Sequence, residues 1–316
     1  MRDLPTDLLD RPAADAAGQV ALRYLDDAVA AAARLSDRTD AEALHDFRVA
    51  LRRLRVTVRA YPGLRDGVPK KYRRRLRKLA RATNGARDVE TQIVWFRKRA
   101  AQFTPAQRSA LSALRARLRA RRRRAQAQVH LKLQQRFIKL ERKVRRELTG
   151  LRSAPGAHEP SFRAIAAAAL ARHALDLGTR LADTTATSPA DLHATRIAAK
   201  RLRYLLEPVE DRVPQGKTLI ARLKQLQDVF GGLTDAHELE GELRRFAKTD
   251  QSVGIDAAAQ VLETEVQELL KAVREEWPAA AAEFETTIAA VARHLRTPAG
   301  PARRQTPARR RSRLPA

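Results

Sequence analysis

The segment Leu44-His45-Asp46-Phe47-Arg48-Val49-Ala50-Leu51-Arg52-Arg53-Leu54-Arg55 recurs without gaps as Leu192-His193-Ala194-Thr195-Arg196-Ile197-Ala198-Ala199-Lys200-Arg201-Leu202-Arg203. Seven of the twelve positions are identical, and Val49/Ile197 and Arg52/Lys200 are close replacements. A weaker match follows: Leu76-Arg77-Lys78-Leu79 leads to Gly85 and Asp88, and Leu223-Lys224-Gln225-Leu226 leads to Gly232 and Asp235. The two offsets, 148 and 147 residues, assign both matches to one duplication. Each half then supplies a helix headed by His, a second helix ending at Gly, and an Asp that opens a third.

The period inside the repeat is helical. Leu44, Phe47, Leu51, Leu54 and Val58 are spaced 3, 4, 3 and 4, on one helix face. Leu133, Phe137, Leu140, Val144 and Leu148 do the same, and no alternating β-branched run marks a strand. Thr104-Pro105-Ala106-Gln107 and Ser188-Pro189-Ala190-Asp191 read as capped helix starts, each with an oxygen to accept an orphan backbone N–H. Tyr61-Pro62-Gly63, Asn84-Gly85, Gly150, Gly231-Gly232 and Trp277-Pro278 read as stops. The predicted helices are 13–35, 40–60, 69–83, 86–102, 105–149 (bent near Gln126–Lys132), 160–182, 189–211, 216–230, 234–249, 253–276 and 279–296. An all-α fold follows, in which Leu, Ala, Val and Ile fill the core because aromatics are only 4% of the chain.

The same spacing groups the charges. His45, Arg48, Arg52 and Arg55 form a stripe about 15 Å long, and His193, Arg196, Lys200 and Arg203 form its twin. Neither stripe contains an acid. Ordinary solvated faces mix signs and gain from Glu–Lys pairs one turn apart. Like charges in a row repel, and an anion relieves that cost. A single basic stripe is usually a solvated face, but two that match across a duplication are not explained that way.

The net charge is +27. Residues 1–160 carry net +23, residues 161–296 net −2, and residues 297–316 six Arg and no acid. The second stripe is therefore a local placement in a nearly neutral half. Residues 297–316, rich in Pro and without apolar period, read as a disordered basic tail. The absence of Cys excludes disulfides, thiolate metal sites and cysteine nucleophiles. The longest apolar run, Ala164 to Ala171, is too short to span a bilayer. Met1-Arg2-Asp3-Leu4-Pro5 lacks the pattern of a secretory signal, so a cytoplasmic location is expected. The remaining histidines have no metal-like spacing, and no metal or other cofactor is expected.

The motifs LHDFRVALRRLR, LHATRIAAKRLRYLLE, LRKLARATNGARDVE and LKQLQDVFGGLTDAHEL resemble, in order and spacing, those of the CHAD family, the conserved-histidine α-helical domain. The resemblance covers roughly residues 15–295. It implies two helical bundles related by a pseudo-twofold axis, 15–158 and 159–296, behind a short extension 1–14. It also implies a basic groove between them that holds inorganic polyphosphate, in proteins associated with bacterial polyphosphate granules. Carried over by motif, the implied contacts are His45, Arg48, Arg52, Arg53, Arg55 and Arg77, with His193, Arg196, Lys200, Arg201, Arg203 and Lys224 opposite. Arg53 and Arg201 point about 100° away from the stripes, toward the groove edge or toward acids. Asp88 and Asp235 read as structural, as caps or anchors for an Arg. Thr234 stands where the first half has Arg87, and Asp46 sits beside His45, so the two halves are not fully equivalent.

Two other readings compete. The +13 stretch 105–150, with Arg121-Arg122-Arg123-Arg124, and the tail could grip nucleic acid non-specifically, although few aromatics are present for base stacking. A metal-dependent polyphosphate-processing enzyme would need a carboxylate cluster or a phosphate loop, and no phosphate-loop motif occurs. Glu238-Leu239-Glu240-Gly241-Glu242 reads as a solvated helix face. The resulting expectation is a non-enzymatic polyphosphate-binding protein.

Overall fold

The structure, a computed structural model, describes residues 3–37, 40, 42–151, 159–183, 188–248 and 253–297. The Arg-rich tail from 298 onward lies outside them. Nearly all of the described residues are helical, with no strand among them. Short 3₁₀ turns sit at Leu8–Asp10, Ala100–Gln102 and Glu207–Arg212. The helices are α1 (Ala13–Arg34), α2 (Ala43–Ala60), α3 (Pro62–Gly67), α4 (Lys70–Ala82), α5 (Asn84–Lys98), α6 (Pro105–Ala110), α7 (Ser112–Thr149), α8 (Phe162–Ala182), α9 (Pro189–Leu206), α10 (Gly216–Ala247) and α11 (Val253–Arg296).

The expected starts are present. Thr104 and Gln107 form a reciprocal capping box at α6, and the Ser188 hydroxyl accepts the Asp191 N–H at α9. Several expected boundaries move. The 105–149 segment divides at Leu111, which is buried, into α6 and α7, and α7 runs without interruption through 126–132. Gly254 approaches the break so closely that a Cβ would lie 2.8 Å from the Gln107 carbonyl. Pro208, which has no N–H to donate, ends α9 in a 3₁₀ turn.

Gly231-Gly232 does not stop α10. A Cβ on Gly232 would lie 3.0 Å from Leu269, so this glycine admits a close neighbour, while one on Gly231 would make ordinary contact with Arg196 at 3.4 Å. Trp277-Pro278 does not stop α11 either. Its two ends are held in separate cores, by Ala258 and Leu262 on one side and Ile288 and Leu295 on the other.

Packing in the first part of the chain recurs in the second. α1 packs on α2 and α7, as α8 packs on α9 and α11; α4 packs on α2 and α7, as α10 packs on α9 and α11. α1 also meets α8, and α2 meets α9. The starts of α1 and α8 are tied by Ala13 N–H to the Pro160 carbonyl (3.0 Å) and Phe162 N–H to the Arg11 carbonyl (2.9 Å). The larger core takes residues from α1, α2, α8 and α9 together with the C-terminal parts of α7 and α11. Phe47 meets Phe137 edge-on within it, at 4.9 Å between ring centroids. The smaller core joins α5 and the start of α7 to the end of α10 and the start of α11. Both cores therefore draw on residues from either side of position 158. The central feature for function is the α2–α9 contact, which sets the two His-headed helices against each other.

Candidate functional site

The apolar face of α2 buries Phe47, Leu51, Leu54 and Val58, and that of α9 buries Leu192, Ala199 and Leu202. Burial of these faces fixes where the charged faces point. Arg53 of α2 reaches Glu207 at the end of α9, while Arg59 of α2 acts electrostatically on Arg201 of α9. These two relations set the C-terminal halves of α2 and α9 beside each other.

Beside this pair lies a cavity of about 1000 Å³. α2 lines it with Arg52, Arg55 and Arg59, and α9 with Lys200, Arg201 and Tyr204. Arg65 of α3, Lys70, Arg73, Arg74 and Arg77 of α4, and Arg172 and His173 of α8 complete its charged wall. Eleven of the lining residues are Arg or Lys, and none of the described ones is an acid.

The cations perturb one another. Burial, then Arg52, Arg77, Arg81 and Arg59, lower the pKa of Arg55. Burial, then Arg59, lower that of Arg201, with Asp176 opposing. His173 is pulled down to about 4 by burial first, then by Arg172 and Arg201. His193 is lowered by desolvation, then by Arg196, Lys200 and Arg52. The influence of Arg52 on His193 carries the field of one stripe onto the other. A multivalent anion would relieve all of these repulsions together.

The twelve residues carried over by motif divide. Arg52, Arg55, Arg77, Lys200 and Arg201 line the cavity. His45 and His193 are exposed on the same two helices outside its wall, and Lys224 is exposed on α10. Arg48 is buried, and Arg196 lies 3.9 Å from Asp235, which stands inside α10 and so is not the helix cap that was one of its two expected roles. Arg53 and Arg203 both turn to Glu207, at 2.7 and 3.5 Å, and both approach the Tyr204 ring. Asp46 pairs with Arg34 at 2.6 Å, which partly offsets its charge beside His45. The side chains of Arg87 and Asp88 lie outside the described residues.

Seven charged or titratable wall residues were not anticipated: Arg59, Arg65, Lys70, Arg73, Arg74, Arg172 and His173. Arg59 continues the Arg52–Arg55 spacing by one turn, and Lys70, Arg73, Arg74 and Arg77 share a face at intervals of three and four. Both signals are in the sequence. Arg172 and His173 have no such signal, because only the packing of α8 on α9 brings them in.

Glu242, expected on a solvated face, is buried, with its carboxylate held by Arg121 at 3.0 Å and Arg245 at 2.6 Å. Among the described residues no group of three or more His, Asp or Glu is arranged to hold a metal ion, and no helix is long and apolar enough to cross a membrane.

Fold and site thus define an all-helical protein whose paired His-headed helices cross beside a cation-lined cavity. A family model for the CHAD domain matches residues 19–244. The chain belongs to the CHAD domain family. The crystal structure of the CHAD domain from the plant Ricinus communis superposes with a TM-score of 0.64 at 21% identity, over 89% of this chain and 93% of that one. PptA from Streptomyces chartreusis superposes with a TM-score of 0.60 at 18% identity, over 88% of this chain and 99% of that one. No curated protein sequence matches.

Proposed function

We propose that the chain binds inorganic polyphosphate without processing it, in the cavity beside the α2–α9 pair. The observation that carries this reading is the wall of eleven cations with no acid among its described members. Such a wall costs stability when empty and suits a flexible strand with a charge on nearly every unit. Arg offers forked hydrogen bonds to phosphate oxygens, and Lys a point charge. Arg52, Arg55, Arg59, Arg77, Lys200 and Arg201 form the proposed contact set, and His45 and His193 extend it along the two helices. The repeated packing and repeated motifs support descent of 15–158 and 159–296 from one duplicated unit. A cell that makes polyphosphate granules would collect such a protein on them, and co-sedimentation with granules tests that.

Binding should follow counterion release, with log K falling by about 0.7 per phosphate contact per log unit of salt, by analogy with single-stranded nucleic acid. Calorimetric titration with polyphosphate across salt concentrations tests the reading. A steep slope supports it, and salt-independent binding contradicts it. Exposed Arg119, Arg123 and Arg124 on α7 lie outside the cavity wall and offer a separate surface for duplex DNA. In competition at physiological salt, polyphosphate should displace DNA and not the reverse.

A further inference from the structure

The motif is symmetric, but the site is one-sided. By the 148-residue offset, Arg53 corresponds to Arg201 and Arg59 to Glu207. The α2–α9 contact brings these together as Arg53 with Glu207 and Arg59 with Arg201. The second pair is two cations, and both line the cavity. The first is a cation and a carboxylate. Glu207, with its side chain only 13% exposed, engages Arg53 at 2.7 Å and Arg203 at 3.5 Å. The surroundings differ in the same sense. α1 offers Arg53 the Tyr24 ring, 5.8 Å away, whereas α8 offers the cavity Arg172 and His173.

We propose that Glu207 is a specificity-determining residue that engages Arg53 and Arg203, cancels one of their two charges, and so favours a bound phosphate chain on the Arg59–Arg201 side of the helix pair. The inference rests on the polyphosphate reading above. A short oligophosphate fills the cavity and never meets Glu207. A long chain leaving the cavity across the α2–α9 pair meets two guanidiniums already engaged by a carboxylate, and so gains less there than in the cavity.

Glu207→Gln keeps the shape of the side chain and removes its charge, and Glu207→Asp keeps the charge. Each variant, with folding verified by circular dichroism, is titrated with tripolyphosphate and with a polyphosphate of several tens of units across a range of salt. For Glu207→Gln, long-chain affinity should rise on the order of tenfold, as one or two charge-assisted contacts are freed. Its salt slope should steepen by about 0.7 to 1.4. Tripolyphosphate binding should not change, and Glu207→Asp should bind like wild type. Long-chain affinity and slope unchanged in a folded Glu207→Gln overturn the inference while leaving the polyphosphate reading intact. Absence of polyphosphate binding by wild type overturns both.

The wild-type chain supplies a second test that needs no substitution. In NMR of the arginine side-chain N–H groups, added long-chain polyphosphate should shift Arg59 and Arg201 and leave Arg53 and Arg203 in place. Equal shifts for all four overturn the inference.

Discussion

Arg59 shows how binding and stability oppose each other at a single residue. It faces Arg55 and Arg201, lowers the pKa of both, and lies in a wall with no described acid. Arg59→Gln should therefore weaken polyphosphate binding about tenfold while leaving the melting temperature unchanged or slightly higher. Titration and thermal melting of the same sample check both; a large drop in melting temperature would show that Arg59 is structural.

His173 carries the pH dependence. Its folded pKa is about 4 against an ordinary 6.5, so both folded and unfolded chains hold it neutral at pH 7. As pH falls below 6.5 the unfolded chain takes the proton first. The contribution of His173 to stability is thus lost between 6.5 and about 4 and levels off below, by up to roughly 2 kcal/mol after solvent screening. His173→Gln should flatten that part of the stability–pH curve. Bound phosphate favours the imidazolium form, so wild-type affinity should rise as pH falls from 7 toward 5. Equal affinity at both ends of that range contradicts a role for the histidines in binding.

At the scale of elements, the period-3.6 pattern was enough to identify the helical class, the paired His-headed helices and the Thr104 and Ser188 caps, because each of these is decided by residues within one turn. The glycines at 231 and 232 were misleading because a helix stop and a close packing contact use the same residue for different reasons. Only the position of Leu269 on α11, against Gly232, separates the two. Gly231→Ala tests the continuity of α10. In a continuous helix Ala is favoured by about 0.5–1 kcal/mol, and its Cβ would make ordinary contact with Arg196. Chemical denaturation should show a gain; a clear loss would point to a chain break or turn at this glycine. The site was legible in the same partial way. Arg52, Arg55, Arg77, Lys200 and Arg201 of the motifs line the cavity. Glu207 stands next to the repeat and captures two of its members: Arg203 precedes it by one turn, a spacing the sequence shows, whereas Arg53 reaches it from another helix, which spacing does not reveal.

For the whole molecule, charge and packing are organised separately. Two apolar cores, each built from both parts of the chain, supply the cohesion that lets α2, α4, α8 and α9 hold like charges close together. Net charge alone pointed to some polyanion, and much of it belongs to α7 and the tail. On the proposed function the cavity, not this diffuse basicity, binds polyphosphate. The most direct test is one titration series at physiological salt comparing wild type, the Arg59→Gln/Lys200→Gln/Arg201→Gln triple variant, and the chain truncated after 296. The triple variant should lose on the order of a hundredfold in affinity, and the truncated chain should keep most of it. Wild-type affinity in a folded triple variant, with binding abolished by truncation, would contradict the claim.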